Sequence, residues 1–432
     1  MTSSYIDSYY SRTLATSETY PQARGRIGAD VCIVGGGLAG LTAALKLARS
    51  GRSVVVLEAQ RILWGASGRN GGFVSAGYAT GLSAIERRVG PEQAKALYRL
   101  SIEGVDIVSD HIRDLAIGEA RPVPGIVKAL RYDSRGALRA ARDRMEREFG
   151  LEQRYLPRDE VRAMFVSPRY QEGLLDGRAF HFHPLNYGRA LARAAAGLGA
   201  GIHENSAVVS AELDGPRKML RTKDAEIEAE HVLFTTGGYT GGVLPALRTA
   251  FLPVATYVLL TEHAPDLVRS AIRTSAAVLD DRRAGDYYRL VDDGSRILWG
   301  GRITTRTTDP ADIAALLRRE MVGTYPQLAE LKVEVAWSGL MSYARHLMPQ
   351  IGRLRPGVWF CTAFGGHGMN TTAIGGTVVA EGIAGETDRY RLFEPFGLAW
   401  NGGLFGRAAV QLTYWGYQAA DAAREYRFRR GS

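Results

Sequence analysis

The chain has 432 residues, of which 46% are hydrophobic and 23% charged, a balance that excludes a disordered or collagen-like chain and provides for two or three packed domains. Its formal net charge is +9, yet only six of its 54 basic residues are lysine, and the arginines are scattered without interleaved aromatics, which argues against a nucleic-acid surface. Cys32 and Cys361 are its only cysteines and neither lies in a C-x-x-C or Cys/His cluster, so a structural zinc site is not expected and a reducing compartment is. No apolar run approaches the roughly 20 residues needed to cross a bilayer, and the first thirty residues lack a signal-peptide core. A cytoplasmic location is therefore expected.

The pattern sharpens at residue 29. Residues 30–34 (DVCIV) predict a strand buried on both faces. Gly35-Gly36-Gly37-Leu38-Ala39-Gly40 follows with G-x-G-x-x-G spacing. Residues 41–50 then predict a helix with Leu41, Ala44, Leu45 and Ala48 on one face, capped by Gly51. Residues 54–57 (VVVL) are a second buried strand, with Glu58 and Ala59 at its end. In such a unit Gly35 permits the tight turn, Gly37 lets the backbone approach a pyrophosphate, and Gly40 lets helix and strand pack closely. The phosphates sit at the helix N-terminus, beside Leu38 and Ala39, and Glu58 lies where an acid meets a ribose. Strand, glycines, helix and acid together read as a dinucleotide site.

Residues 64–73 form a loop rich in small residues, in which Ser67, Arg69, Asn70, Gly71 and Gly72 suit a chain pressed along a flat ligand. Further on, residues 141–149 and 185–198 predict amphipathic helices, and 251–260, 287–291 and 296–304 predict strands. Thr308-Asp309-Pro310 reads as a helix start. The glycines at 197, 199 and 201 end an alanine-rich helix instead of forming a second dinucleotide loop, so a nicotinamide cofactor is not expected. A late strand (358–363) runs into a glycine loop holding Gly366, His367, Gly368 and Met369. The small-residue helix after it has an N-terminus suited to negative charge on a ring system. The aromatic tail after Phe393 predicts a helix packed on the body, with a dimer contact or a peripheral membrane patch as the alternatives.

These residues resemble a known family. Ser8-Tyr9-Tyr10, Tyr20-Pro21, ADVCIVGGGLAGLTAAL (29–45), VVVLEAQRILWGASGRNGG (54–72) and GGHGMNTT (365–372) are similar to the γ-glutamylputrescine oxidase-type branch of the D-amino-acid oxidase superfamily, which also includes sarcosine and glycine oxidases. Residues 201–208 resemble the segment whose valine, here Val208, meets the adenine side. Thr235-Thr236-Gly237-Gly238-Tyr239 resembles the stretch that returns to the cofactor. Residues 286–289 and 299–302 resemble the substrate-side sheet. The resemblance implies an α/β fold (α+β overall): a discontinuous Rossmann-type FAD domain, taken as 1–90, 150–240 and 335–390. Beside it is expected a substrate domain on an antiparallel sheet, taken as 91–149 and 241–334, with a helical tail over 391–432. Sarcosine oxidase relatives tether flavin through a cysteine where residues 337–349 stand here. This stretch has none, so the FAD is expected to be non-covalent.

The activity implied is oxidation of a primary or secondary amine, with hydride passing to flavin N5, the imine hydrolysing to an aldehyde, and O2 taking the electrons to give H2O2. A γ-glutamylated diamine is the favoured substrate. A carboxylate-bearing amino acid or N-alkyl amino acid is the alternative, as are a dehydrogenase feeding a quinone or carrier and an electron-transfer subunit. His367, Tyr288 and Arg302 are the candidate catalytic residues. His367 would act as a base or as positive charge near the ring. Strand alternation lets only one of Tyr287 and Tyr288 face the site, and Tyr288 is taken as that residue. His181 and His183 have no companion carboxylates, so no metal is expected.

Overall fold

The structure, a computed structural model, describes residues 4–282, 285–305 and 310–431. The run 30–34 is the end of a longer strand, Gly25–Val34, at the centre of the first sheet. Its neighbours run parallel to it: Ala225–Phe234 on one side and Val54–Leu57, then Gly201–His203, on the other. Val358–Thr362 extends the sheet in parallel beyond Ala225–Phe234, and Gln350–Arg355 closes that edge antiparallel. Both faces are covered, which is why these strands read as unbroken apolar runs. Helix Leu38–Arg49 and the late helix Gly368–Ala384 lie against each other on one face. Their contact is close because Gly376 has no side chain: a Cβ there would stand 2.6 Å from the Ala39 carbonyl oxygen.

Among the described residues the second sheet has nine strands, antiparallel except for the pair Val123–Leu130 and Ala277–Asp280, with Gln153–Leu156 pairing beside Glu172–His181 off the main order. From one edge it runs Val333–Tyr343, Leu252–Thr261, Arg296–Thr304, Tyr287–Val291, Ala277–Asp280, Val123–Leu130, Glu172–His181 and Phe73–Val74. Its buried face holds a separate core built around Trp299, Tyr288, Tyr325 and Phe165.

The α/β class and the antiparallel second sheet agree with expectation; the segment boundaries do not. Residues 153–181 carry two strands of the second sheet, although 150–240 was expected on the cofactor side. Val333–Tyr343 also pairs in the second sheet, so the return to the first falls near residue 350 and not 335. Helix Pro91–Asp114, expected on the substrate side, packs on Gly368–Ala384 through Gly104, whose Cβ would collide with the Asn370 carbonyl at 2.3 Å. Hydropathy marks where strands lie, but strand pairing decides which sheet they join. The expected helix start falls partly outside the described residues, which resume with helix Pro310–Thr324. The tail is helical over Gly403–Gly431.

Candidate active site

Strand Gly25–Val34 ends where Gly35 turns the chain at φ +113°, and a Cβ there would approach the Thr235 hydroxyl to 2.9 Å. Gly40 seats the helix on this turn, because its Cβ would lie 2.2 Å from the Gly35 carbonyl oxygen. Gly37 caps the helix with no side-chain bond, and the Ser67 hydroxyl accepts from the Leu38 N–H at 3.1 Å. The other first-turn N–H groups have no intrahelical acceptor and offer a seat for an anion.

Glu58 accepts from the N–H of Gly36 at 2.7 Å and of Gln60 at 2.9 Å. Each carboxylate oxygen keeps a lone pair for a ribose hydroxyl. Burial pushes its pKa up, against the pull of these backbone donors.

The glycine loop continues the cradle. Asn70 holds its shape: the amide donates to the carbonyls of Ala66 and Ser67 and accepts from the Gly72 N–H at 2.7 Å. The buried Arg69 guanidinium lies 4.0 Å above the Trp64 ring and donates from Nε to the Trp64 carbonyl at 2.6 Å. Its Nη2 has no hydrogen-bond partner among the described residues, a donor held for a bound group.

These parts border one cavity of about 850 Å³ between the two sheets. Of the expected cofactor contacts, Gly35, Gly37, Leu38, Ala39, Glu58, Ala59, Ser67, Arg69, Asn70, Gly71, Gly72, Val208, Thr236, Gly237, Gly366, His367, Gly368 and Met369 all line it. Gly40 does not; it lies beneath, as the packing residue. The cradle fits a dinucleotide. The glycines leave no Cβ to obstruct it, a helix N-terminus is placed where the phosphates would lie, and Glu58 where the ribose would. At the far end, the N-terminus of Gly368–Ala384 borders the space a ring would take. Cys32 and Cys361 are buried in their strands and do not line the cavity.

Beyond the cofactor loops the cavity is walled by Tyr287, Tyr343, Phe364, Met341, Ile303 and Thr256. Tyr287 displaces Tyr288 as the residue facing the site. Its ring occupies a slot between two glycines: a Cβ on Gly300 would lie 2.0 Å from it and one on Gly71 2.6 Å. Tyr288 points to the opposite face, stacked on Trp299 at 4.1 Å, with its hydroxyl bonded to those of Tyr170 at 2.8 Å and Tyr325 at 2.6 Å.

Arg302 is also corrected. It sits at φ +53°, pairs with Glu320 at 3.3 Å, and is absent from the lining, while its neighbours Gly301 and Ile303 are present.

His367 does border the cavity. Its Nε2 faces the carbonyls of Ser75 at 3.2 Å and Ala76 at 3.3 Å. Carbonyls only accept, so Nε2 carries a hydrogen, and in the neutral ring Nδ1 then holds the lone pair. Burial lowers the ring's pKa, against the pull of the two carbonyls, and so favours the neutral form. Glu58 and Arg69 are then the charged side chains in the lining, among the described residues.

His181 and His183 are structural. His181 Nε2 meets the Ser275 carbonyl at 2.9 Å, and His183 Nδ1 accepts from the Asn186 N–H at 3.1 Å. Among the described residues no group of three or more His, Cys, Asp or Glu could hold a metal. No helix of the described residues is long and apolar enough to cross a membrane. Tyr343, Met341 and Phe364 were not anticipated; each reaches the cavity through strand register or loop return, which leaves no local signal.

A parallel sheet with a glycine turn, an acid and two helix N-termini on one cavity, closed by an antiparallel sheet, defines a dinucleotide-dependent oxidoreductase of two-sheet design. Residues 30–382 match the model of the family described as FAD dependent oxidoreductase (DAO), and the chain belongs to that family. It is an FAD-dependent oxidoreductase. It is 33% identical over 392 residues to the gamma-glutamylputrescine oxidoreductase of Escherichia coli (strain K12), covering 90% of this chain and 91% of that one. Among solved structures it resembles the glycine oxidase of Geobacillus kaustophilus (TM-score 0.71, 20% identity, 86% and 99% of the two chains). It also resembles the L-proline dehydrogenase of P.horikoshii (TM-score 0.69, 18% identity, 88% and 100%). At such identities these two show the shared fold alone.

Proposed function

We propose that this enzyme oxidises an amine whose reacting carbon bears no carboxylate, of the γ-glutamylated diamine type, to an aldehyde. In sum, the amine, O2 and water give aldehyde, ammonia and H2O2. The observation that carries the reading is the substrate wall itself. Tyr287, Tyr343, Phe364 and Met341 present aromatic and soft apolar surface, and no arginine or lysine among the described residues joins them beside Ile303 and Thr256. A carboxylate on the reacting carbon would be desolvated there without a cation, at a cost of several kcal/mol. An alkylamine suits the same wall, which holds an ammonium by its ring faces on entry and its methylene chain thereafter. The relative's name points to the same chemical class.

FAD, when bound, supplies the two-electron acceptor for the carbon beside the amine nitrogen. This chain's own residues do the rest. Tyr287 and Tyr343 orient the chain of methylenes and exclude water. His367, fixed through Nε2, offers Nδ1 as a hydrogen-bond acceptor for the incoming amine. The N-terminus of Gly368–Ala384 favours negative charge at the ring end of the cavity. Neither cysteine reaches the cavity, which supports an FAD held without a thioether. Product analysis tests the reading: γ-glutamylputrescine is expected to yield an aldehyde trapped by a hydrazine. Turnover of glycine or N-methylglycine to glyoxylate, with no aldehyde from the diamine derivative, would replace it with the amino-acid reading.

A further inference from the structure

The helix Gly403–Gly431 is held to the body by polar contacts along its length. The Tyr414 hydroxyl accepts from the Ile303 N–H at 2.9 Å, Gln411 Oε1 accepts from Thr304 and Thr305, and Glu425 pairs with Arg131 at 3.2 Å. A neighbouring face carries Phe405, Ala408, Leu412, Trp415, Ala419 and Tyr426, all exposed and spaced by threes, fours and a seven. Such spacing makes a single stripe along a helix. Phe405 is 86% exposed and Leu412 63%, and Trp400, just before the helix, is 65% exposed. A contiguous apolar patch of this kind marks a contact surface.

Charge identifies the occupant. The acids of this helix, Asp421 and Glu425, are partly buried, whereas Arg407 and Arg427 are exposed, as is Arg424, which reaches back to donate to the Tyr132 hydroxyl at 3.0 Å. A second copy would bring the same exposed arginines with no exposed acid of its helix to meet them. An anionic lipid surface complements both features, because interfacial helices place Trp, Phe and Leu among the acyl chains and arginines among the headgroups. We infer that this helix is a peripheral membrane anchor that lays the enzyme on an anionic lipid surface, with the latch at Ile303 placing the cavity wall beside that surface.

The test is co-sedimentation of the FAD-loaded enzyme with vesicles of phosphatidylcholine alone, or of phosphatidylcholine and phosphatidylglycerol in equal parts. Binding is expected to the mixed vesicles at low salt, and to fall at least about fivefold with phosphatidylcholine alone or at 0.5 M salt, roughly the worth of one arginine. Phe405→Glu with Leu412→Glu is expected to weaken it about tenfold or more while the visible flavin spectrum stays that of the wild type. Independently of any variant, brominated lipid in the mixed vesicles is expected to quench wild-type tryptophan emission. Wild type left in the supernatant with both vesicle types and unquenched would overturn the proposal, as would binding indifferent to the double substitution. A solution dimer that the double substitution dissociates, without vesicle binding, would assign the stripe to a second copy instead.

Discussion

Gly40→Ala tests the cofactor cradle at its tightest point. The new methyl would stand 2.2 Å from the Gly35 carbonyl oxygen, 2.8 Å from the Thr235 hydroxyl and 3.2 Å from Ile33 Cγ2. Two of these neighbours belong to the turn and strand that position the phosphates, so relief requires the helix Leu38–Arg49 to move by roughly 1 Å to restore ordinary contact. Overpacking of this degree costs about 1–3 kcal/mol. The same movement withdraws the helix N-terminus from the pyrophosphate, and a loss of about 1.4 kcal/mol there is tenfold in affinity. Gly28→Ala is the matched control: it lies on the same strand, with nothing within 4 Å of its added Cβ. Urea unfolding with and without FAD, together with FAD titration of the apoprotein by flavin fluorescence, reads both quantities. Gly40→Ala is expected to bind FAD at least tenfold more weakly and to unfold earlier, with Gly28→Ala close to wild type. Equal FAD affinity in the two variants would refute the close approach as the basis of the cradle.

Three further expectations follow from the site and its surroundings. Tyr287→Phe should change kcat/KM for the amine, whereas Tyr288→Phe should leave it unchanged but cost about 1–3 kcal/mol of stability by stranding the hydroxyls of Tyr170 and Tyr325; the opposite outcome would restore Tyr288 to the site. Burial lowers the pKa of His111 to about 4, and that of His181 and His183 to about 3, so the unfolded chain binds more protons as pH falls below 6.5 and stability declines with it. Each histidine is worth about 1.4 kcal/mol between pH 7.5 and 5.5. Asp281 and Asp286, raised to about 6, act in the opposite direction over the same interval by roughly 0.8 kcal/mol each. These five groups together give an expected loss of roughly 2–3 kcal/mol in urea unfolding at pH 5.5, with the lowered His231, His346 and His367 acting in the same direction and the raised Glu58 against it; equal or greater stability there would contradict it. Finally, flavin should remain in solution when the denatured protein is precipitated, since Cys32 and Cys361 are buried away from the cavity; yellow colour in the pellet would mean a tether elsewhere.

The cofactor half of the site was legible because its signal is local. Gly35, Gly37, Gly40 and Glu58 act within one strand–turn–helix–strand unit, so their spacing carries their geometry. The substrate half was not, because its residues are chosen by pairing between distant strands. Tyr287 and Tyr288 are equivalent in sequence, and Gly300 on the neighbouring strand, opposite Tyr287, opens the slot that admits one ring. Arg302 shows the same limit: a cation at the end of a promising strand turns out to be paired with Glu320. The segment 153–181 was misplaced for a related reason, since its strands look alike whichever sheet they join. The exposed stripe on the last helix was readable as aromatic, but which face the body covers depends on where Tyr414, Gln411 and Glu425 find partners.

The most direct test of the central claim is anaerobic mixing of the FAD-loaded enzyme with γ-glutamylputrescine, putrescine, glycine, N-methylglycine and L-proline, followed by admission of air. Loss of the visible flavin band with the terminal amine, and its recovery in air with one H2O2 per turnover, is the predicted result. A flavin that stays oxidised with every amine while the cofactor remains bound would contradict the account, leaving the fold and the FAD site in place without the proposed activity.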